Sequence, residues 1–223
     1  MRGASPAGDA ADLASLVAAI EREARRAPFD VCLETYSAAG RDPAVPILCA
    51  GALDAPVCFF GRELGREEVQ IAEPLVGAGG RRLRRAAHEA LLGPAPASER
   101  RFAALLSHVF LTNTVPYRPV DNRAYDRATV ARFRPFVEEL LGRRWTGTRV
   151  VALGQEAHRW FAPYAQPGAV EAQWADTERR FSARLRLRIA GRDVELACVP
   201  HPSPLSPFKA RFAEYLTGHL RTP

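Results

Sequence analysis

Four short apolar runs in this chain end in residues that can do chemistry. Val57 to Phe60 is followed by Gly61-Arg62-Glu63-Leu64-Gly65, and Phe110 to Thr112 by Asn113-Thr114-Val115. Val150 to Leu153 is followed by Gly154-Gln155, and Ala197 to Pro200 by His201-Pro202-Ser203-Pro204-Leu205-Ser206. A carboxylate stabilises developing positive charge or orients water, an imidazole exchanges a proton near neutral pH, and a carboxamide reads a donor-acceptor edge. Together they suit a site that holds a small polar ring and stabilises negative charge on it. Each also has an ordinary reading. Glu63 alone is a surface carboxylate, with Glu67 and Glu68 close enough to compete for its role; His201 alone is a loop residue, and Asn113 alone a strand-end turn former. His88, His108, His158 and His219 show no ligand spacing, and Cys32, Cys49, Cys58 and Cys198 show no paired spacing, so no metal is expected.

In open α/β sheets, ligands bind beyond the carboxyl ends of the strands, so the apolar runs are read as buried strands that carry these residues. Apolar residues at helical spacing (Leu13, Leu16, Val17, Ile20) predict a helix over Asp12 to Arg26, after a loose tail over residues 1–10. Further helices are predicted over Gly80 to Leu92, Ser98 to Ser107, Arg127 to Leu141 and Pro207 to Leu220. Strands are predicted over Val45 to Ala50, Val57 to Gly61, His108 to Asn113 and Arg149 to Gly154. Phe181 to Ile189 and Asp193 to Val199 read as an antiparallel pair turned at Gly191-Arg192. The alternation argues for one domain over residues 11–223, a three-layer α/β/α sandwich around a mostly parallel sheet.

Composition narrows the class. A chain of 223 residues with 47% hydrophobic and 25% charged residues is neither disordered nor collagen-like. No apolar run approaches the ~18 residues of a membrane span, and Met1 to Ala11 lacks the apolar stretch of a signal peptide, so a cytoplasmic protein with no membrane partner is expected. The net charge is +6, and every cation but Lys209 is arginine. Arginine offers phosphate a planar fork and stacks on bases, which fits a nucleic-acid partner; a genome rich in arginine codons gives the same excess.

The segment from Gly61 to Gly80, GRELGREEVQIAEPLVGAGG, resembles the first motif of the uracil-DNA glycosylase superfamily in its iron-sulfur-containing class, glycine for glycine. Leu111 to Arg123 looks like that class's segment after the middle strand, and Val150 to Ala157 like its later strand-turn-helix. His201 to Ser206 is similar to the second catalytic motif of the uracil-excising class, and the likeness spans about Val45 to Phe212. The chain departs from that class in its ligands. Phe29, Tyr117 and Phe133 stand where three of the four cluster cysteines belong, leaving Cys32, and such a set cannot ligate a cluster, so no cofactor is expected. Leu75 stands in place of the usual stacking Phe, and Arg62 in place of an acidic residue.

The resemblance implies a monomeric, monofunctional DNA glycosylase that acts on DNA containing uracil or another deaminated base. It would flip the nucleotide out of the helix and hydrolyse its N-glycosidic bond in base excision repair. It implies catalytic roles for Glu63 and His201 and a base pocket of Gly61, Gly65, Leu75, Asn113 and Gln155. It also implies DNA contacts from Ser203 and from Leu205, which would wedge into the gap left by the flipped nucleotide. Arg81, Arg82, Arg84 and Arg85 are read either as phosphate contacts or as a solvated helix face. The other function left open is a nucleic-acid-binding module on the same fold that has lost catalysis, or that senses damage without excising it.

Overall fold

The computed structural model describes residues 6–96, 99, 101–203 and 206–221, of which 6–11 and 209 are described by backbone alone. Six strands, β1 (Cys49–Gly51), β2 (Val57–Gly61), β3 (Val109–Asn113), β4 (Arg149–Leu153), β5 (Arg184–Ile189) and β6 (Arg192–Val199), form one sheet in the order β1-β3-β2-β4-β6-β5. The four central strands are parallel, while β1 and β5 run antiparallel on the two edges.

The helices are α1 (Pro6–Arg26), α2 (Leu33–Ala38), α3 (Arg66–Ile71), α4 (Ala78–Leu91), α5 (Arg127–Glu139), α6 (Gln155–Arg159), α7 (Ala169–Ala175) and α8 (Phe212–Leu220). Successive strand residues point to opposite faces, so each central strand feeds two cores. Cys58, Phe60, Phe110, Val150, Ala152 and Leu196 pack with Leu16 and Ile20 of α1 and with Phe133 and Val137 of α5. Val57, Phe59, Leu111, Val151, Ala197 and Val199 pack with Leu83 and Ala87 of α4 and with Phe212 and Leu216 of α8. Phe59, Phe60 and Phe110 have no exposed surface, and full burial of such a side chain stabilises by ~1.5–3 kcal/mol. The sandwich expected from the alternation is thus the observed fold.

Several boundaries differ from the expected ones. α1 opens at Pro6, inside the segment read as a tail; proline suits a first helical position because the N–H it lacks has no partner there. Val45 to Leu48 is a loop rather than the start of a strand, although the Ile47 N–H still donates to the Pro116 carbonyl at 3.1 Å. The helix predicted over Ser98 to Ser107 is a 3-10 turn over Ala103–Ser107. Phe102, just before it, has a left-handed φ of 52° that no α-helix can pass through. The β5–β6 turn sits at Ala190 and Gly191, with φ of 47° and 86°, the pairing whose twist suits a two-residue hairpin.

On β5, Leu187 and Ile189 are buried while Arg186 and Arg188, which alternate with them, are exposed. None of the described helices is long and apolar enough to cross a membrane.

Candidate active site

The carboxyl ends of β3, β2, β4 and β6 lie side by side, so the loops after them share one rim. The Thr114 N–H joins the β2 and β3 ends by donating to the carbonyls of Gly61 (3.0 Å) and Arg62 (2.8 Å). A cleft of about 360 Å³ opens on this rim. Gly61, Arg62, Glu63, Gly65 and Leu75 wall one side, the start of α4 a second, and His201, Pro202 and Ser203 a third.

Glu63 follows β2 and precedes Leu64, which is 1% exposed and anchors the turn in the interior. The Glu63 side chain is itself only 4% exposed. One carboxylate oxygen accepts from Arg62 Nε and the other from the Tyr125 N–H at 3.4 Å. Burial raises its pKa above the ordinary carboxylate value, against the pull of the Arg62 cation. The two competing carboxylates are held elsewhere: Glu67 pairs with Arg81, and Glu68 is 8% exposed and accepts the Gly77 N–H at 2.9 Å, bracing the entry to α4.

His201 faces the cleft, and its inner edge lies against Gly154. Gly154 has a φ of +87°, and a Cβ there would stand 3.1 Å from the His201 Cβ, so this corner admits only glycine without strain. The Ser203 N–H donates to His201 Nδ1 at 3.2 Å. That bond makes Nδ1 the acceptor, so a neutral ring carries its proton on Nε2. The protein packed around the inner edge, helped by Arg62, lowers the imidazole pKa even though the residue's outer surface is open to the cleft.

Asn113 is 2% exposed, and its Oδ1 is buried without a partner. It lies beside Gly61 in the strand register. A Cβ at Gly61 would stand 2.6 Å from Asn113 Nδ2 and 3.0 Å from Leu75 Cδ2, so glycine lets the amide and Leu75 both approach the end of β2. Leu75 holds a left-handed φ of 56°.

Two expected roles are corrected. Arg84 is fully buried and donates to the carbonyls of Pro74, Leu75 and Arg101 at 2.7–2.8 Å while pairing with Glu73 at 2.6 Å, so it braces the Leu75 loop instead of reaching a phosphate. The Gln155 amide turns from the cleft, its oxygen accepting from Trp174 Nε1 at 3.1 Å and from Arg159 at 2.6 Å. Arg81 pairs with Glu67, Arg82 is half-buried with one terminal nitrogen lacking a partner, and Arg85 lies over the Phe102 ring at 5.5 Å. Ser203 lines the cleft, whereas Leu205 lies outside the described residues.

A second cleft, of about 780 Å³, shares Arg62 and Glu63 with the first and runs between α5 and α6. The sequence analysis assigned no role to Tyr125, Arg134 or Trp160, which line it.

The residues at the expected cluster position do not fit iron and sulfide. The rings of Phe29, Tyr117 and Phe133 pack on one another with centroids 5.0–5.3 Å apart. Cys32, the remaining thiol, contacts Thr35 Oγ1 at 3.1 Å. Among the described residues no group of three or more His, Cys, Asp or Glu is gathered to hold a metal.

Among curated proteins, no sequence matches the chain. The family profile described as the Uracil DNA glycosylase superfamily matches residues 50–217, from β1 into α8, and so takes in every strand end that builds the cleft. That match supports a DNA glycosylase-type function with DNA as the partner. With the profile covering well over half of its length, this chain belongs to the uracil DNA glycosylase superfamily.

Proposed function

We propose that the protein is a monofunctional glycosylase that excises uracil or a related deaminated base from DNA, with Glu63 and His201 as its catalytic pair. The observation that carries this reading is the unpartnered Asn113 Oδ1, buried beside Gly61 behind a cleft bordered by a buried carboxylate and an imidazole with a fixed proton. A buried acceptor without a donor costs ~1–3 kcal/mol, and the uracil N3–H would remove that cost.

In the reaction, the C1′–N bond breaks and its electron pair leaves on the base. Positive charge gathers on the sugar and negative charge at the base O2, so groups that complement both charges gain strength in the transition state. Glu63 stabilises the sugar cation and takes a proton from the water that adds to C1′. His201, neutral, donates from Nε2 to O2, and the departing base anion collects its proton from solvent. Ser203 and the backbone beside it hold a phosphate of the flipped nucleotide.

Single-turnover assays on oligonucleotides carrying U:G, U:A, single-stranded U, hypoxanthine or xanthine test the reading. Glu63→Gln and His201→Ala should each slow excision ~10²-fold or more with DNA affinity nearly unchanged. Wild-type protein that binds these duplexes but releases no base would make it a binding module.

A further inference from the structure

Arg62 is a cation common to both reactive groups. Its Nε donates to Glu63 Oε2, a terminal nitrogen donates to the Asn122 carbonyl at 3.3 Å, and its own carbonyl is held by Thr114. Tethered in this way, it borders the cleft of His201 on one side and the second cleft on the other. Its side chain is 35% exposed and that of Glu63 is 4% exposed, so water solvates the cation and not the carboxylate.

We infer that Arg62 is a positioning residue for the reaction: its guanidinium, bonded to the Glu63 carboxylate and bordering the His201 cleft, keeps one group an anion and the other uncharged within a single site. The inference rests on the roles proposed for Glu63 and His201. Their requirements conflict, because surroundings dry enough to keep an imidazole neutral also favour a protonated carboxyl, and a bare carboxylate nearby favours imidazolium. A fixed cation satisfies both, since it favours the carboxylate and disfavours a second positive charge.

The neighbouring charges are engaged differently. Across the second cleft Glu63 meets Arg127 and Arg134 of α5, Glu156 and Arg159 of α6 and Glu171 of α7. Of these, Arg159 pairs with Glu156 at 3.2 Å and Arg134 donates to the Trp160 carbonyl at 2.6 Å. His201 shares its cleft with Arg66, Glu67 and Glu68, the last two already held by Arg81 and by the Gly77 N–H. Arg62 acts in the required sense on both groups: it lowers the carboxyl pKa against burial and lowers the imidazole pKa together with burial.

Arg62→Met and Arg62→Lys, compared with wild type, test the inference by two readouts. One is the NMR titration of the His201 side chain in the free protein, and the other the pH profile of single-turnover uracil excision. Losing the cation should move the His201 midpoint and the acid limb of the profile to higher pH, so that at about pH 6 Arg62→Met is roughly tenfold slower than wild type. Arg62→Lys keeps the charge and should stay within about twofold. An unmoved midpoint in Arg62→Met overturns the inference, and if DNA binding weakens at the same time, Arg62 is a phosphate ligand. A moved midpoint with an unmoved rate limb instead removes His201 from the chemistry, and the proposed function fails first.

Discussion

Burial raises the pKa of the Glu63 carboxyl, so ionising this residue costs folding free energy that the proposed reaction requires. The ordinary value is 4.5 and the folded value lies above it. The cost is therefore absent below 4.5, grows as pH rises through the interval, and is complete above the folded value. Glu63→Gln should stabilise the protein at neutral pH and show no gain at acid pH. Urea unfolding at several pH values measures this, and a gain that shrinks with rising pH would contradict the burial argument. At Asn113 the amide can accept from uracil N3–H while donating to O4, and cytosine presents the reverse pattern. Asn113→Asp sets two acceptors against each other at ~1–3 kcal/mol, so uracil excision should fall about tenfold or more. Single-turnover rates on U and C oligonucleotides decide it; undiminished uracil excision would make Asn113 a structural strand-end residue.

At the scale of elements, the phosphate contacts read for α4 narrow to three arginines. Arg81, Arg82 and Arg85 keep partial exposure, whereas Arg84 has none. Reversing the charge of two of the three should flatten the dependence of DNA binding on salt, because fewer counterions are released. Reversing Arg84 should instead unfold the Leu75 loop, whose carbonyls it holds. Fluorescence binding isotherms at several salt concentrations, read beside circular dichroism, separate the two effects. An unchanged slope would return Arg81, Arg82 and Arg85 to the status of a solvated face. The phase of the helix separates them: Arg84 lies four residues after Gly80 and three before Ala87, on the stripe that α4 buries, and Arg81, Arg82 and Arg85 lie off it. The central strands were legible because apolar runs between turn residues have few other readings, and the positions of Glu63, Asn113 and His201 at the strand ends were legible with them, whatever role each plays. Helices α2, α3 and α7 were not, since six or seven residues are too few to show a helical period, and α6 was expected only through the family resemblance. The Gln155 amide was misread because its partner Trp174 lies on an element with no sequence signal of its own.

For the whole molecule, the packed rings of Phe29, Tyr117 and Phe133 tie the segment after α1 to the loop after β3 and to α5. The purified chain should accordingly be colourless and free of stoichiometric iron. Anaerobic preparation with iron analysis checks this, and about four irons per chain with a broad visible absorption would overturn it. The exposed arginines of β5 stand, in turn, on the last strand of the sheet. The outer edge of a terminal strand offers unpaired backbone groups to any strand that approaches, and a second molecule's β5 is the best-matched template for it. That approach would set Arg186 and Arg188 of one copy against the same pair of the other, with Leu187 and Ile189 already turned inward. Lateral addition therefore meets like charge at each exposed position, and the protein carries on that edge a barrier to fibril growth that concentrated salt would lower and dilution into weak buffer would restore.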